Sequence, residues 1–454
     1  MNYRTSLLAG TTAMALGLAA TAARAETPAL PQVEGPVAEQ AGNLMHPAIF
    51  ETSIRPYLGE FPDFFDMDYY GYVADEFFLT GTAGGEDYTT RLVIRHPADI
   101  EDWSGFTVFE TQHTSGAAQA WTYSRIGSMK NGHVFVELDD HPGAIANIQG
   151  FNAARYADMH IASEDPAMQN EMAAQAMLLV RTANPLGEEW NAGTLAMAGL
   201  SQTANNISDY FHLGGQASYT LEDGSPLVDG AILGVRTGPT TEELAEFWDV
   251  PLIVTMSQTE FQDFTAADEA SWPADGENFR RYQVPGAPHL ESRYFFATDP
   301  ATCGLPGDGF MAMAYFYMAV EDMYEWLMED TPAPMPPHVE FDESGPVRDE
   351  FGNVRGGIRS PQLEVPTHVY LTPNEGESFL CSLAGASQPL TDAQLQEMYA
   401  SPGDFQHQLE SATLRLVEEG WFPDEYLFEI DEEVARFGDS VGFGYTGDDA
   451  EAAE

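Results

Sequence analysis

A serine hydroxyl is a poor nucleophile until a base, an orienting acid and anion-stabilising amides are brought to it. Three separated segments of this 454-residue chain carry groups of those types. Gly199-Leu200-Ser201-Gln202-Thr203 follows the small apolar run Thr194 to Ala198 and precedes Ala204 to Tyr210, which reads as a helix. A strand, a sharp turn and a helix in that order would present the Ser201 hydroxyl on a strained turn. Gly199 leaves the room such a turn needs two residues before its apex, and a helix start at Gln202 would aim backbone N–H groups at an oxyanion. Thr203 stands where a second glycine would close the usual pattern, and a Gly-x-Ser triplet alone equally describes a serine capping a helix.

Eleven histidines are present. His289 ends Tyr282-Gln283-Val284-Pro285-Gly286-Ala287-Pro288-His289, where a predicted strand runs into a Gly/Pro loop, so its ring could reach across the carboxyl end of a parallel sheet. The other histidines lack that combination of context and order. Between serine and histidine, the predicted strand Pro251–Met256 runs into Ser257-Gln258-Thr259-Glu260, with Asp263 three residues on. Glu260 is the favoured third member, to hold the imidazole in one tautomer, and Asp263 is the alternative. In a chain with 72 acidic residues a nearby carboxylate is expected in any case.

Placing these groups requires a sheet. Tyr72–Leu79 and Thr89–Arg95 are β-rich, with Gly81, Gly84 and Gly85 between them, and predict a hairpin. Phe106–Glu110, His133–Leu138, Thr194–Ala198, Val228–Val235, Pro251–Met256 and Phe279–Val284 are strand-length runs, most of them apolar. Helical patterns separate several of them, Pro166–Thr182 being the clearest. Alternating strands and helices predict an α/β fold with a mostly parallel sheet covered on both faces. A further helix is predicted within Gly309–Met328 and must end before the proline-rich Thr331–Pro337.

Residues 1–25, with Arg4, an apolar run from Leu7 to Ala20 and Ala23-Arg24-Ala25, predict a cleaved signal peptide and hence a periplasmic or secreted protein. The run is too short for a bilayer span, and no later segment is long and apolar enough, so stable membrane insertion is not expected. Cys303 and Cys381 fit one disulfide in an oxidising compartment and equally two buried thiols. Acidic residues outnumber basic ones 72 to 18, for a formal net charge of −54, with Lys130 the single lysine. Such self-repulsion is relieved by salt, which points to a saline habitat, and it argues against nucleic acid as a partner. Residues 444–454 read as an acidic frayed tail. No His-Glu-x-x-His and no Gly-x-Gly-x-x-Gly after a strand occurs, so neither metal nor organic cofactor is expected.

The order Ser201, Glu260, His289 is that of the α/β-hydrolase superfamily, and Asp68 to Phe443 resembles its branch of bacterial exported α/β-hydrolase-domain proteins. The resemblance rests on Tyr72 to Arg95, on Phe151-Asn152-Ala153-Ala154-Arg155-Tyr156, on the elbow Gly199-Leu200-Ser201-Gln202 and on Arg281 to His289. A late Gly-rich stretch, Arg348 to Arg359, followed by Pro361 and Val365-Pro366, completes it. It implies the α/β-hydrolase fold: a β-rich extension over residues 26–100 and a hydrolase domain over 101–443, with a Gly/Pro-rich insertion near 331–366. It also implies triad roles for Ser201 and His289, and an oxyanion hole built from the Gln202 N–H and a donor in Thr111-Gln112-His113-Thr114, with Gln112 and His113 as the candidates. Relatives often carry an acid where this chain has Gln258, and an Asn-Pro pair in the oxyanion loop where this chain has none. The expected reaction is cleavage of a small or polymeric carboxylic ester through an acyl-enzyme. An amidase or peptidase on the same scaffold, and a non-catalytic binding protein that keeps the fold, are the rivals.

Overall fold

The computed structural model describes residues 27–37, 65–236, 247, 249–290, 293, 303–431 and 433–434. The segments read as signal peptide and acidic tail lie outside the described residues. Among the described residues nine strands form one sheet: β1 Gln32–Glu34, β2 Tyr72–Ala83, β3 Glu86–Pro97, β4 Phe106–Thr111, β5 Val134–Leu138, β6 Thr194–Leu200, β7 Gly230–Gly234, β8 Leu252–Ser257 and β9 Phe279–Val284. Their order is β1-β2-β3-β5-β4-β6-β7-β8-β9. From β5 to β9 every pairing is parallel, whereas β1, β2 and β3 are joined antiparallel and β3 docks antiparallel on β5. The predicted hairpin is therefore β2 and β3, turned at Gly84-Gly85, where both residues adopt positive φ. It extends the central sheet.

Period-two alternation sorts each strand between two cores. Ala196, Ala198 and Leu200 of β6 join one, together with Ile232, Ile253 and Tyr282; Leu195 and Met197 join the other, with Leu233 and Val254. The first core is covered by α1 Gln119–Lys130, and the second by α2 Pro142–Phe151, α3 Pro166–Thr182 and α4 Gln202–His212. A short α5, Gln258–Phe261, follows β8, and α6, Ala312–Met328, returns to the first core against α1 and β7. Burial on both faces is why most of these strands read as continuous apolar runs. The helix α3 starts where its sequence says it should: Asp165 accepts from the Ala167 amide and Pro166 occupies the first turn.

Charge is buried at the hairpin. Glu76 of β2 accepts from Arg91 Nε at 2.8 Å, from Arg155 Nε at 2.8 Å and from the Tyr156 hydroxyl at 2.9 Å. Glu137 of β5 receives Arg91, Arg95 and the Gln112 side chain. The Arg155-Tyr156 pair thus ties the loop after α2 to the extension, and the network reaches the loop that follows β4. At the opposite edge, β9 is covered by the late part of the chain. Ile358 donates its amide to the Gln283 carbonyl at 2.8 Å, and Val339 donates to the Gln283 side chain at 2.9 Å.

Candidate active site

Parallel strands that enter helices at the same edge gather their following residues at the carboxyl end of the sheet. Ser201, Glu260 and His289 each lie just beyond such an end, after β6, β8 and β9. Ser201 joins β6 to α4 with φ 55° and ψ −115°, a conformation that a non-glycine residue holds only when its surroundings impose it. The turn is held from both sides. The Ser201 amide donates to the Gly234 carbonyl at 2.9 Å, and the Thr203 hydroxyl accepts from the Leu200 amide at 2.8 Å while donating to the Leu200 carbonyl at 3.0 Å. Thr203, the departure from the usual glycine, acts here as a clamp. Gly199 has no such latitude: a Cβ there would lie 2.6 Å from the Thr203 carbonyl carbon and 2.8 Å from the Ala204 amide nitrogen.

His289 Nε2 lies 3.0 Å from Ser201 Oγ, and His289 Nδ1 lies 2.6 Å from Glu260 Oε1. The other carboxylate oxygen, Glu260 Oε2, accepts from the Ser257 amide at 2.8 Å and the Ser257 hydroxyl at 2.6 Å. An ionised carboxylate only accepts, so Nδ1 carries the imidazole proton and Nε2 offers its lone pair to the serine. Glu260 and His289 side chains are 5% and 11% exposed, little enough to limit competition from water and enough to leave an approach to the ring. Asp263, the alternative acid, is exposed and makes no bond to the imidazole. The single turn of α5 decides between them by directing residue 260 inward.

The backbone around the histidine is fixed from α5. The His289 amide donates to Thr259 Oγ1 at 3.1 Å, the Gly286 amide donates to the Gln258 side-chain oxygen at 2.9 Å, and the Gln258 amide donates to the Ala287 carbonyl at 2.8 Å. Gln258 therefore supplies a neutral acceptor that holds the histidine loop. Neither Thr259 nor Gln258 carried a signal that would have revealed these contacts from sequence.

The loop after β4 corrects the expected oxyanion donors. Gln112 gives its amide to the Leu138 carbonyl at 2.8 Å, and its side chain is fully buried on Glu137 and the Gly116 carbonyl. It has no donor left for an oxyanion. The His113 amide is likewise bound, to the Ala117 carbonyl at 3.2 Å, so that residue can contribute only its ring. His113 Nδ1 accepts from the Ser115 amide at 3.1 Å, which leaves the proton on Nε2. Burial, with His141 and His289 nearby, holds the His113 imidazole below its ordinary range, so it stays neutral. Thr114, which sequence reasoning passed over, directs its hydroxyl to Gln202 Oε1 at 2.7 Å and its amide to the same oxygen at 3.3 Å. The Gln202 amide itself opens α4, where no preceding turn offers it a carbonyl.

Beside the elbow lies an apolar recess lined by Leu200, Val235, Met256, Val284, Ala287 and Phe316, among others. Cys303 and Cys381 are joined as a disulfide. Among the described residues no cluster of three or more His, Cys, Asp or Glu side chains could hold a metal ion, and no helix is long and apolar enough to cross a membrane.

A family model described as alpha/beta hydrolase domain matches residues 33–429. No protein of curated function matches the chain. Among solved structures, it is similar to a cold-adapted esterase from an Arctic intertidal metagenomic library at 13% identity. That match covers 46% of this chain and 84% of the other, with a TM-score of 0.28. An esterase from the fungus Rhizomucor miehei matches at 14% identity over 64% of this chain and 94% of its own, with a TM-score of 0.36. The bacterial brefeldin A esterase matches at 12% identity over 47% and 66%, with a TM-score of 0.29.

Proposed function

Because this chain belongs to the alpha/beta hydrolase domain family, we propose that it is a serine hydrolase cleaving carboxylic esters through an acyl-enzyme on Ser201. The observation that carries this reading is the continuous path from Ser201 Oγ through the His289 ring to Glu260, with spacings of 3.0 and 2.6 Å. As Ser201 Oγ bonds to the ester carbonyl carbon, its proton passes to His289 Nε2, and the carbonyl electron pair moves onto oxygen. We assign that oxygen to the Gln202 amide, with the His113 ring Nε2–H as the second donor. Collapse of the tetrahedral intermediate expels the alcohol with the proton from Nε2; water then attacks the acyl-enzyme with His289 again as base. Glu260 keeps its negative charge throughout and stabilises the imidazolium.

We place this activity outside the cytoplasm. The amino-terminal signal pattern and the Cys303–Cys381 bond both fit an oxidising compartment, and the net charge of −54 fits a saline one. Ester turnover by purified protein in salt, set against Ser201→Ala, tests the reading, with a fluorophosphonate probe reporting the nucleophile directly. Full ester cleavage by Ser201→Ala, or no labelling of the wild-type serine, would sink it. A matched anilide substrate separates esterase from amidase: faster anilide turnover would transfer the proposal to amide bonds.

A further inference from the structure

The disulfide anchors a segment that bonds to the residue after the histidine. Cys381 lies in the short helix Phe379–Leu383, and the residues that leave this helix run alongside the chain leaving His289. Leu290 donates its amide to the Leu383 carbonyl at 2.9 Å and forms a parallel bridge with Ala384. Asn374 closes the segment into a compact strap. Its amide donates to the Ala384 carbonyl at 2.8 Å, and its side-chain Nδ2 donates to the carbonyls of Gly385 at 3.1 Å and Leu305 at 3.0 Å. Leu305 follows Cys303 by two residues, so both sulfurs anchor the same structure. At its end Gly385 is pressed on the histidine loop, where a Cβ would lie 3.0 Å from Pro288 Cβ and against the Asp308 carboxylate.

Two supports thus hold the histidine backbone at consecutive residues. Thr259 holds the His289 amide from the acid helix α5, and the strap holds Leu290 next door. The first support is local in sequence to Glu260. The second comes from residues about ninety positions downstream and is joined to Cys303, on the segment that follows the histidine loop, through a bond spanning 78 residues. Closing a loop of that length removes conformational entropy from the unfolded chain, and in the folded chain the bond adds to the hold that Asn374 has on the strap.

We propose that the Cys303–Cys381 disulfide, acting through the Phe379–Gly385 strap, is a positioning device for the imidazole of His289. Its role is to position the base, not to take part in the chemistry. Its residues fix the loop that sets the 3.0 Å approach of Nε2 to Ser201 Oγ. The proposal rests on the assignment of His289 as the base. Misplacement of a reacting group by about 1 Å costs about 100-fold in rate, so opening the bond is expected to lower kcat by about 10- to 100-fold with KM within about twofold.

The test compares wild type, the double variant Cys303→Ser/Cys381→Ser, and Gly385→Ala, which keeps the bond and displaces Pro288 or Asp308. A p-nitrophenyl ester serves as substrate, and hydrogen exchange is read at the Leu290 amide. The expected result for both variants is loss of kcat at unchanged KM and an altered pH–rate profile. In the double variant the Leu290 amide also exchanges faster, while far-UV circular dichroism is retained. Rescue of kcat on restoring both cysteines completes the pattern. A folded double variant with full kcat and a protected Leu290 amide overturns the proposal, as does Gly385→Ala with unchanged kcat and pH profile. Failure of the underlying reading has a different signature, since Ser201→Ala would then remain as active as wild type while Leu290 protection still followed the disulfide.

Discussion

Replacing Glu260 by glutamine removes one charge while keeping size and shape, and the donors around the carboxylate dictate how the new side chain must sit. The Oε2 position faces two donors of Ser257, its amide and its hydroxyl, of which the amide cannot change role. The new carboxamide therefore turns its oxygen toward Ser257, and its NH2 group faces His289 Nδ1, 2.6 Å from where Oε1 stood. Two donors cannot share that gap, so the imidazole proton moves to Nε2, and an N–H now confronts the Ser201 hydroxyl that should be losing a proton. The corresponding acid-to-amide change in a serine-protease triad lowers kcat about 10^4-fold, and we expect a loss of about 10^3- to 10^4-fold here, or about 4 to 5.5 kcal/mol of transition-state stabilisation. Because Glu260 lies behind the ring, KM should stay within about threefold. Steady-state hydrolysis of a p-nitrophenyl ester in salt between about pH 6 and 9 gives both parameters, with thermal melting as the check on folding. A folded Glu260→Gln variant retaining more than about a tenth of wild-type kcat would refute the tautomer argument and with it the role of Glu260.

Gly199→Ala should abolish fluorophosphonate labelling of Ser201, because the added methyl meets the Thr203 and Ala204 backbone at 2.6 to 2.8 Å; undiminished labelling would show the elbow to be more tolerant than its geometry implies. Thr114→Val removes the hydroxyl that anchors the Gln202 side chain, and a fall in kcat exceeding any rise in KM is expected, read from the same ester assay. Burial pushes the Asp322 carboxyl, which accepts from the Tyr282 hydroxyl, up to about 7. The native state then holds a proton that the unfolded chain has released, so stability falls as pH rises from the ordinary carboxylate range near 4 through about 7, by on the order of 4 kcal/mol. Urea unfolding at pH 5 and pH 8 should show this slope in wild type and a flatter one in Asp322→Asn; equal slopes would count against it. Finally, raising salt from about 0.1 to about 1 M shortens the screening length from about 10 to about 3 Å, so melting temperature should climb. A flat response would remove the case for a saline habitat.

The strands of the hydrolase half were legible because burial on both faces leaves apolar runs, of which β6 and β8 are the clearest. β9 begins and ends where the sequence placed it, and α3 carries its own start signals in Asp165 and Pro166. The gathering of Ser201, Glu260 and His289 was legible for a related reason, since each closes a strand that a parallel sheet must align at one edge. What the sequence withheld is set by partners remote along the chain. Gln112 cannot serve an oxyanion because β5 claims its amide, and nothing near residue 112 announces that. Thr114 and Gln258 are ordinary polar residues until the opposing loop gives them a partner. The ionic cluster around Glu76 and Glu137 was equally hidden, because in a chain this acidic a carboxylate at the surface and one sealed in a sheet look alike.

The cover that Val339 and Ile358 place over β9 has a consequence for dissecting this protein. Without it, a strand buried along its whole length would present a row of unpaired N–H and C=O groups to neighbouring molecules, a template for intermolecular pairing and precipitation. Truncations that stop after α6, at the point where the hydrolase half looks finished, should therefore yield insoluble material, and mapping of minimal fragments has to keep the later residues as the sheath of that rim.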